Sequence, residues 1–341
     1  MGVKRKILVV DSSAVIRRYL VKLFLDAGYE VESSRTKEEV LRRLNTQHFS
    51  LVMLDIDMVQ ENALEILQEI MKTKPTRVLL LSSQHTNDIT MEALNLGAID
   101  SIIKPKNSID IAKISQEVLS KVHNALQSMP NFLRSSQEVF KTHNVAIRTD
   151  VDMGFVLIGS STGGPRLIEQ ICKTLPANYP HAVCVVQHMP TDFTSNFAKR
   201  LNTLSKVEVV ESDNGVELKA GRVIIAKGGK HTHFRKKLKS FTTVLTSNIK
   251  ERFFVPCVDE MFFSAAEVLP VKNILAIELT GIGDDGADGM VELRRKGART
   301  IAESEKTAVV YGMPKEAALR GGAQKVLDFN DILDEIIKYG Q

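Results

Sequence analysis

The sequence has no apolar run near the roughly 18 residues that a membrane-crossing helix requires. It has only three cysteines in 341 residues. Cys172, Cys184 and Cys257 lie far apart, so they offer neither a metal-ligand spacing nor a disulfide framework. Charge of one sign is scarce as well: 45 Lys plus Arg against 41 Asp plus Glu leave a formal charge of +4. That balance does not demand the basic face of a nucleic-acid binder. No internal repeat or low-complexity segment stands out. The opening Met-Gly-Val-Lys-Arg-Lys enters an apolar run that ends at Asp11, too short and too soon acidic for a signal peptide. These absences predict a cytoplasmic chain with no nucleic-acid partner and no membrane insertion. Hydrophobic residues at 43% and charged residues at 25% are ordinary for a folded protein. At roughly 100–200 residues per domain the length predicts two domains.

Short apolar runs alternate with amphipathic stretches. Ile7 to Val10, Leu51 to Leu54, Val78 to Leu81 and Ile99 to Ile103 read as buried strands. Helices are predicted over 14–25, over 36–44 behind a Thr36/Glu39 capping box, and over 106–123. The rhythm lapses over 124–152, which reads as a linker. It resumes with strands at 155–158, 182–186, 206–210, 222–226 and 274–279, and near Thr300 and Lys325. Helices are predicted between them at 165–174, 193–204, 258–268, 289–295 and 315–319. Such alternation predicts α/β architecture in both halves, with parallel sheets.

In the first half a polar group follows each strand: Asp11, Asp55, Ser82, then Lys104-Pro105. The carboxyl ends of parallel strands line one crevice, so two carboxylates, a hydroxyl and an ammonium converge. A carboxylate there can accept a phosphoryl group if a divalent cation neutralises the incoming oxygens and a lysine holds them. Through Val-Val-Asp-Ser-Ser-Ala, Leu-Asp-Ile-Asp-Met, Leu-Ser-Ser and Gly-Ala-Ile-Asp-Ser-Ile-Ile-Lys-Pro, residues 4–122 resemble the receiver domain of two-component response regulators. The resemblance implies a flavodoxin-like doubly wound parallel sheet over 1–123. It also implies Asp55 as phosphoacceptor, Asp11 at a magnesium site, Ser82 as switch hydroxyl and Lys104 as phosphoryl ligand. Receivers usually carry a second acidic residue after the first strand, where this chain has Ser12. That loss weakens a magnesium site, and Asp57 is near enough in sequence to compensate in part. Met58-Val59 and Asn62-Ala63 also replace the family's Met-Pro and Asp-Gly.

In the second half the strand at Phe155 ends in Gly159-Ser160-Ser161-Thr162-Gly163-Gly164-Pro165. A Gly-rich strand-to-helix turn can cradle phosphate on backbone N–H groups, or expose a serine beside an oxyanion hole. The segment has neither a dinucleotide fingerprint nor a P-loop lysine, and alone it leaves the choice open. A serine nucleophile needs a base and a residue to orient it. His188 leaves the next strand in Val-Val-Gln-His-Met-Pro, and Asp284 and Asp285 leave a later one in Leu-Thr-Gly-Ile-Gly-Asp-Asp-Gly. Taken singly, each residue is as readily a cap, a loop ligand or a turn former.

Together with Pro-Cys-Val-Asp and Tyr-Gly-Met-Pro-Lys-Glu-Ala, these blocks make residues 153–338 similar to the chemotaxis protein-glutamate methylesterases of CheB type. Receiver, linker and this domain, here 1–123, 124–152 and 153–341, are also that family's architecture. The resemblance implies an α/β methylesterase domain with a mainly parallel sheet. Ser161 becomes the nucleophile, His188 the general base and Asp285 its orienting residue. Thr162, Gly163 and Ile282 line the oxyanion site, and catalysis needs no cofactor. The implied reaction is hydrolysis of glutamate methyl esters on chemoreceptor cytoplasmic helices, with glutamine deamidation as the related activity. The implied phosphodonor is a sensor histidine kinase, and the receiver covers the esterase crevice until phosphorylation opens it.

Asp284 stands where the family usually has Asn, which places a like charge beside Asp285 and disfavours ionisation of one of the two. Val255-Pro256-Cys257 replaces the family's Arg-Pro-Ser and removes a basic group from the substrate channel. The cation-rich segment from Lys227 to Lys250 reads as a solvated loop or hairpin, or as a dock for an acidic helix. Two other readings of the chain are a non-catalytic receptor adaptor and an esterase whose receiver works without phosphorylation. A phosphate- or nucleotide-binding enzyme is opposed by the missing lysine.

Overall fold

The structure, a computed structural model, describes residues 5–59, 61–82, 87–104, 108–127, 152–189 and 191–339. The chain divides into two compact units, 1–138 and 139–341.

In the first unit the apolar runs become β1 (Lys6–Val10), β3 (Leu51–Asp55), β4 (Val78–Ser82) and β5 (Asp100–Ile103). β2 (Glu30–Ser34) is an addition to the sequence reading. Its Glu-Val-Glu-Ser-Ser carries no apolar run because it is an edge strand covered on one side only. Helices α1 (Ala14–Asp26), α2 (Lys37–Thr46), α3 (Ala63–Thr73), α4 (Asn87–Asn95) and α5 (Ser108–Gln127) connect the strands. The Thr36 hydroxyl accepts from the Glu39 N–H at 3.3 Å, as a capping box requires. The Glu39 carboxylate reaches one residue further back than the motif predicts, to the Arg35 N–H at 2.9 Å. α5 runs past the predicted boundary at 123 because Ala125 and Leu126 continue the buried stripe of Val118 and Val122. The linker expected over 124–152 thus begins inside a helix, and the part from 128 to 151 lies outside the described residues. All five strands are parallel in the order β2-β1-β3-β4-β5. The chain reverses direction across the sheet between β1 and β3, and Asp11 and Asp55 stand at that switch point.

The second unit holds a seven-stranded sheet in the order β14-β13-β12-β6-β7-β9-β8, every pairing parallel. Its strands are β6 (Phe155–Ser160), β7 (Ala182–Gln187), β8 (Glu208–Glu211), β9 (Arg222–Ile225), β12 (Ile274–Glu278), β13 (Arg299–Glu303) and β14 (Lys325–Leu327). β6 is central. The chain builds one half outward through β7, returns, and builds the other half from β12. A separate antiparallel hairpin, β10 (His231–Lys236) with β11 (Phe241–Thr246), carries much of the cation-rich segment, and Thr242 also makes an antiparallel bridge to Glu217. Helices α6 (Gly164–Thr174), α7 (Thr191–Leu204), α8 (Val258–Val268), α9 (Ala287–Arg295), α10 (Met313–Leu319) and α11 (Phe329–Ile337) cover the sheet. Leu157, Ile224, Met261, Phe262 and Met290 form part of one buried core. Each such apolar side chain contributes about 1.5–3 kcal/mol by leaving water. The three cysteines are free and buried. No helix among the described residues is long and apolar enough to cross a membrane.

Candidate active site

Ser161 follows β6, His188 follows β7, and Asp285 lies in the turn after β12, so the three residues leave neighbouring strands at one sheet edge. Backbone bonds stitch the three exits together. The Ser161 N–H donates to the Thr280 carbonyl at 2.9 Å and the His188 N–H to the Ser160 carbonyl at 3.0 Å. Buried Gln187 locks the first two turns: its Nε2 donates to the Ser161 carbonyl at 2.8 Å, and its Oε1 accepts from Ser160 Oγ at 2.7 Å. Gly163 takes φ +84° at the start of α6, and a Cβ there would lie 2.5 Å from Val309 Cγ2, so only glycine closes this turn.

His188 Nε2 meets Asp285 Oδ2 at 2.8 Å. Its Nδ1 is buried and has no hydrogen-bond partner among the described residues. The carboxylate thus fixes one ring nitrogen as the N–H, and the other is left as an acceptor. A parallel ring, Phe254, lies 4.0 Å from the imidazole at an interplanar angle of 10°.

Asp285 Oδ2 also accepts from the Val258 N–H at 2.8 Å, and Oδ1 accepts from the Asp259 N–H at 3.0 Å and Cys257 Sγ at 2.9 Å. The carboxylate therefore caps α8, whose own N-cap residue, Cys257, makes no side-chain cap bond. Burial pushes the Asp285 carboxyl up, but the His188 bond and charge, the Cys257 thiol and the backbone N–H outweigh it and hold it at about 2.

Two further carboxyls stand behind the corner. Glu303 accepts from the Thr280 N–H at 2.8 Å and Thr307 Oγ1 at 2.9 Å, and burial pushes it up to about 7. Thr280 Oγ1 in turn donates to the Thr162 carbonyl at 2.9 Å, so Glu303 anchors the turn facing the proposed oxyanion site. The Ile282 N–H has no acceptor among the described residues. Glu278 is fully buried, and neither of its oxygens has a hydrogen-bond partner among the described residues. Burial, then the charges of Asp285 and Asp259, push its carboxyl well above the usual range.

In the first unit, Lys104 Nζ lies 3.1 Å from Asp11 Oδ2 and 2.6 Å from Asp55 Oδ2, both carboxylates being buried. Burial and the Asp11 charge raise Asp55 to about 6, against the pull of Lys104. Ser82 Oγ is buried with no hydrogen-bond partner among the described residues. The four side chains expected to converge stand at the ends of β1, β3, β4 and β5.

The CheB methylesterase family matches residues 156–336, and the response regulator receiver domain matches residues 7–116. A protein-glutamate methylesterase/protein-glutamine glutaminase 2 of Carboxydothermus hydrogenoformans is 38% identical, covering 98% of this chain and 99% of that protein. A protein-glutamate methylesterase/protein-glutamine glutaminase of Archaeoglobus fulgidus is 36% identical, covering 98% and 97%. The chain belongs to the CheB methylesterase family. The crystal structure of the Thermotoga maritima CheB methylesterase catalytic domain is similar to the second unit. It has 38% identity and a TM-score of 0.52, and the match covers 55% of this chain and 98% of that one.

Within the CheB family this chain departs at three places with visible consequences. Asp284 does not burden Asp285: its exposed side chain pairs with Arg320, which also binds Asp288 at 2.8 Å. The expected penalty between the two neighbouring charges does not fall on Asp285, because the Asp284 carboxylate is spent on a surface guanidinium. Cys257, in place of the CheB serine, remains a donor to Asp285. Ser12 is exposed, and the loop carbonyls of Asp11 and Ser12 accept from Arg17 Nη1 at 2.6 and 2.9 Å. For magnesium, the hard donors on hand are Asp11 Oδ2 and Asp55 Oδ2, which meet only the Lys104 ammonium among the described residues. Two carboxylates are what a magnesium site commonly draws from protein, so the pair fits that ion. Asp57 enters through its N–H, which donates to Asp55 Oδ1 at 2.8 Å. No three His, Cys, Asp or Glu side chains among the described residues are grouped to hold a metal.

Phe254, Gln187, Glu278 and Glu303 were not singled out from sequence. Gln187 had a readable signal, a polar residue closing an apolar strand beside the histidine. The other three had none, since an aromatic in a loop or a carboxylate ending a strand reads as ordinary.

Proposed function

We propose that the chain hydrolyses methyl esters of glutamate side chains on chemoreceptor cytoplasmic helices, and glutamine amides by the same chemistry, through Ser161, His188 and Asp285. The observation that carries this reading is the His188 Nε2–Asp285 Oδ2 bond at the strand ends that also carry Ser161, with Nδ1 left unpartnered among the described residues. Asp285 holds the proton on Nε2, and Nδ1 takes the Ser161 hydroxyl proton as Oγ attacks the ester carbonyl. The Thr162 N–H, presented by the turn that Gly163 shapes, and the Ile282 N–H, from the loop after β12, serve the developing oxyanion. His188 returns the proton to the departing methanol, or to ammonia from an amide. Water, deprotonated by the same nitrogen, then releases the free glutamate. The reading places the protein in the cytoplasm with its receptor.

The receiver accepts a phosphoryl group on Asp55 from a sensor histidine kinase, with Lys104 as counter-charge and Ser82 as the switch hydroxyl. Asp11 and Asp55 would hold magnesium, which would supply neutralising charge for the incoming oxygens.

Methanol release from methylated receptor is the direct test. Wild type should release it, and Ser161→Ala should fall to background; retained release in the variant refutes the triad, and none in either leaves an adaptor. For the receiver, a labelled phosphodonor with magnesium should mark wild type and spare Asp55→Asn. Equal labelling of the two would sink the phosphoacceptor assignment.

A further inference from the structure

The loop between β11 and α8 presents an unusual pair of exposed side chains. Phe253 is 81% exposed and Ile249 87% exposed. The backbone that carries them is pinned. Asn248 Oδ1 accepts from the Arg252 N–H at 2.7 Å, and its Nδ2 donates to the Arg252 carbonyl at 2.8 Å. Buried Glu260 on α8 holds Lys250 Nζ at 3.1 Å and Arg252 Nε at 3.0 Å. Apolar groups displayed on a fastened loop lose little freedom on binding, which is how recognition surfaces are built.

The pair is continuous with the catalytic corner. Phe253 packs edge-on against Phe254 with ring centroids 4.8 Å apart, and Phe254 stacks on His188. A line of rings therefore leads from the general base to solvent.

We infer that Phe253 and Ile249 form the anchor for the substrate helix, resting on the reading that its glutamyl ester is the substrate. The occupant is an amphipathic helix with an apolar residue beside the modified glutamate and acidic residues flanking it. Its acidic face meets Lys250 and Arg252, which share a single buried carboxylate, Glu260.

Steady-state methanol release from methylated receptor tests this, with sedimentation run in parallel. Phe253→Ser should raise KM about tenfold while kcat holds, the signature of lost uniform binding. Adding Ile249→Ser should raise it further, and Phe253→Leu should stay close to wild type. Turnover with unchanged KM in Phe253→Ser overturns the anchor and leaves the esterase reading intact. A change in self-association at unchanged KM assigns the patch to a second copy of the chain and also overturns it. A wild type that releases no methanol removes the esterase reading itself.

Discussion

Asp285→Asn should lower kcat for methyl-ester hydrolysis by about 10⁴-fold, the scale seen when a triad aspartate loses its charge but not its shape. The reason lies in its four partners. His188 Nε2, the Val258 and Asp259 N–H groups and the Cys257 thiol all donate to this carboxylate. An asparagine can satisfy donors on one oxygen only, so its NH₂ faces two of them, His188 and the Val258 N–H on one side or Cys257 and the Asp259 N–H on the other. If the NH₂ faces His188, the proton moves to Nδ1, the nitrogen that should receive the serine proton. Either way α8 loses one of its two cap bonds, costing about 1 kcal/mol. Single-turnover methanol release measures the first effect and thermal unfolding the second. A variant within tenfold of wild type in kcat would show that His188 does not depend on Asp285 for its tautomer.

Glu278 should be the chain's clearest stabilising substitution site. It carries two unpartnered oxygens in full burial, wedged where Gly159 and Gly286 leave room and facing Val258, Asp259 and Asp285. Its carboxyl is raised well above its usual 4.5, so the folded state keeps a proton that the unfolded chain gives up. Where the native state binds more protons, stability falls as pH rises. The slope is about 1.4 kcal/mol per unit from the usual value up to the raised one. Glu278→Gln should remove that slope. Glu278→Leu should also remove the unsatisfied polar group, worth about 1–3 kcal/mol even at acid pH. Denaturant unfolding at pH 5 and pH 8 is the measurement, and the gain from Leu should be larger at pH 8. Equal stability of wild type and both variants at the two pH values would mean that Glu278 has a partner.

What the sequence made legible follows from burial on both faces. β1, β3, β4, β6, β7 and β12 are continuous apolar runs because they lie inside covered parallel sheets, and Asp11, Asp55, Ser82, Ser161 and His188 mark where such runs stop. β2 escaped because an edge strand need not be apolar. The relation between Cys257 and Asp285 escaped for a different reason: a helix cap supplied from a distant loop leaves no local motif. Phe254 escaped because stacking on His188 depends on where a loop returns, which periodicity does not encode. Asp284 misled because adjacency in sequence suggested adjacency in space, whereas consecutive residues in this turn face opposite ways, one to the surface and one inward.

The sheet order has a consequence for biosynthesis. Nucleophile and base are both on the chain once residue 188 has emerged from the ribosome, whereas the aspartate arrives with the turn after β12. β12 pairs directly with β6, from Ile274 against Phe155 to Glu278 against Gly159. The nascent chain must therefore wait for the central strand to find a late partner before the histidine is oriented. On the proposed triad, an unfinished or C-terminally cut polypeptide carries Ser161 and His188 without Asp285 to orient the histidine, so activity begins with completion of the domain.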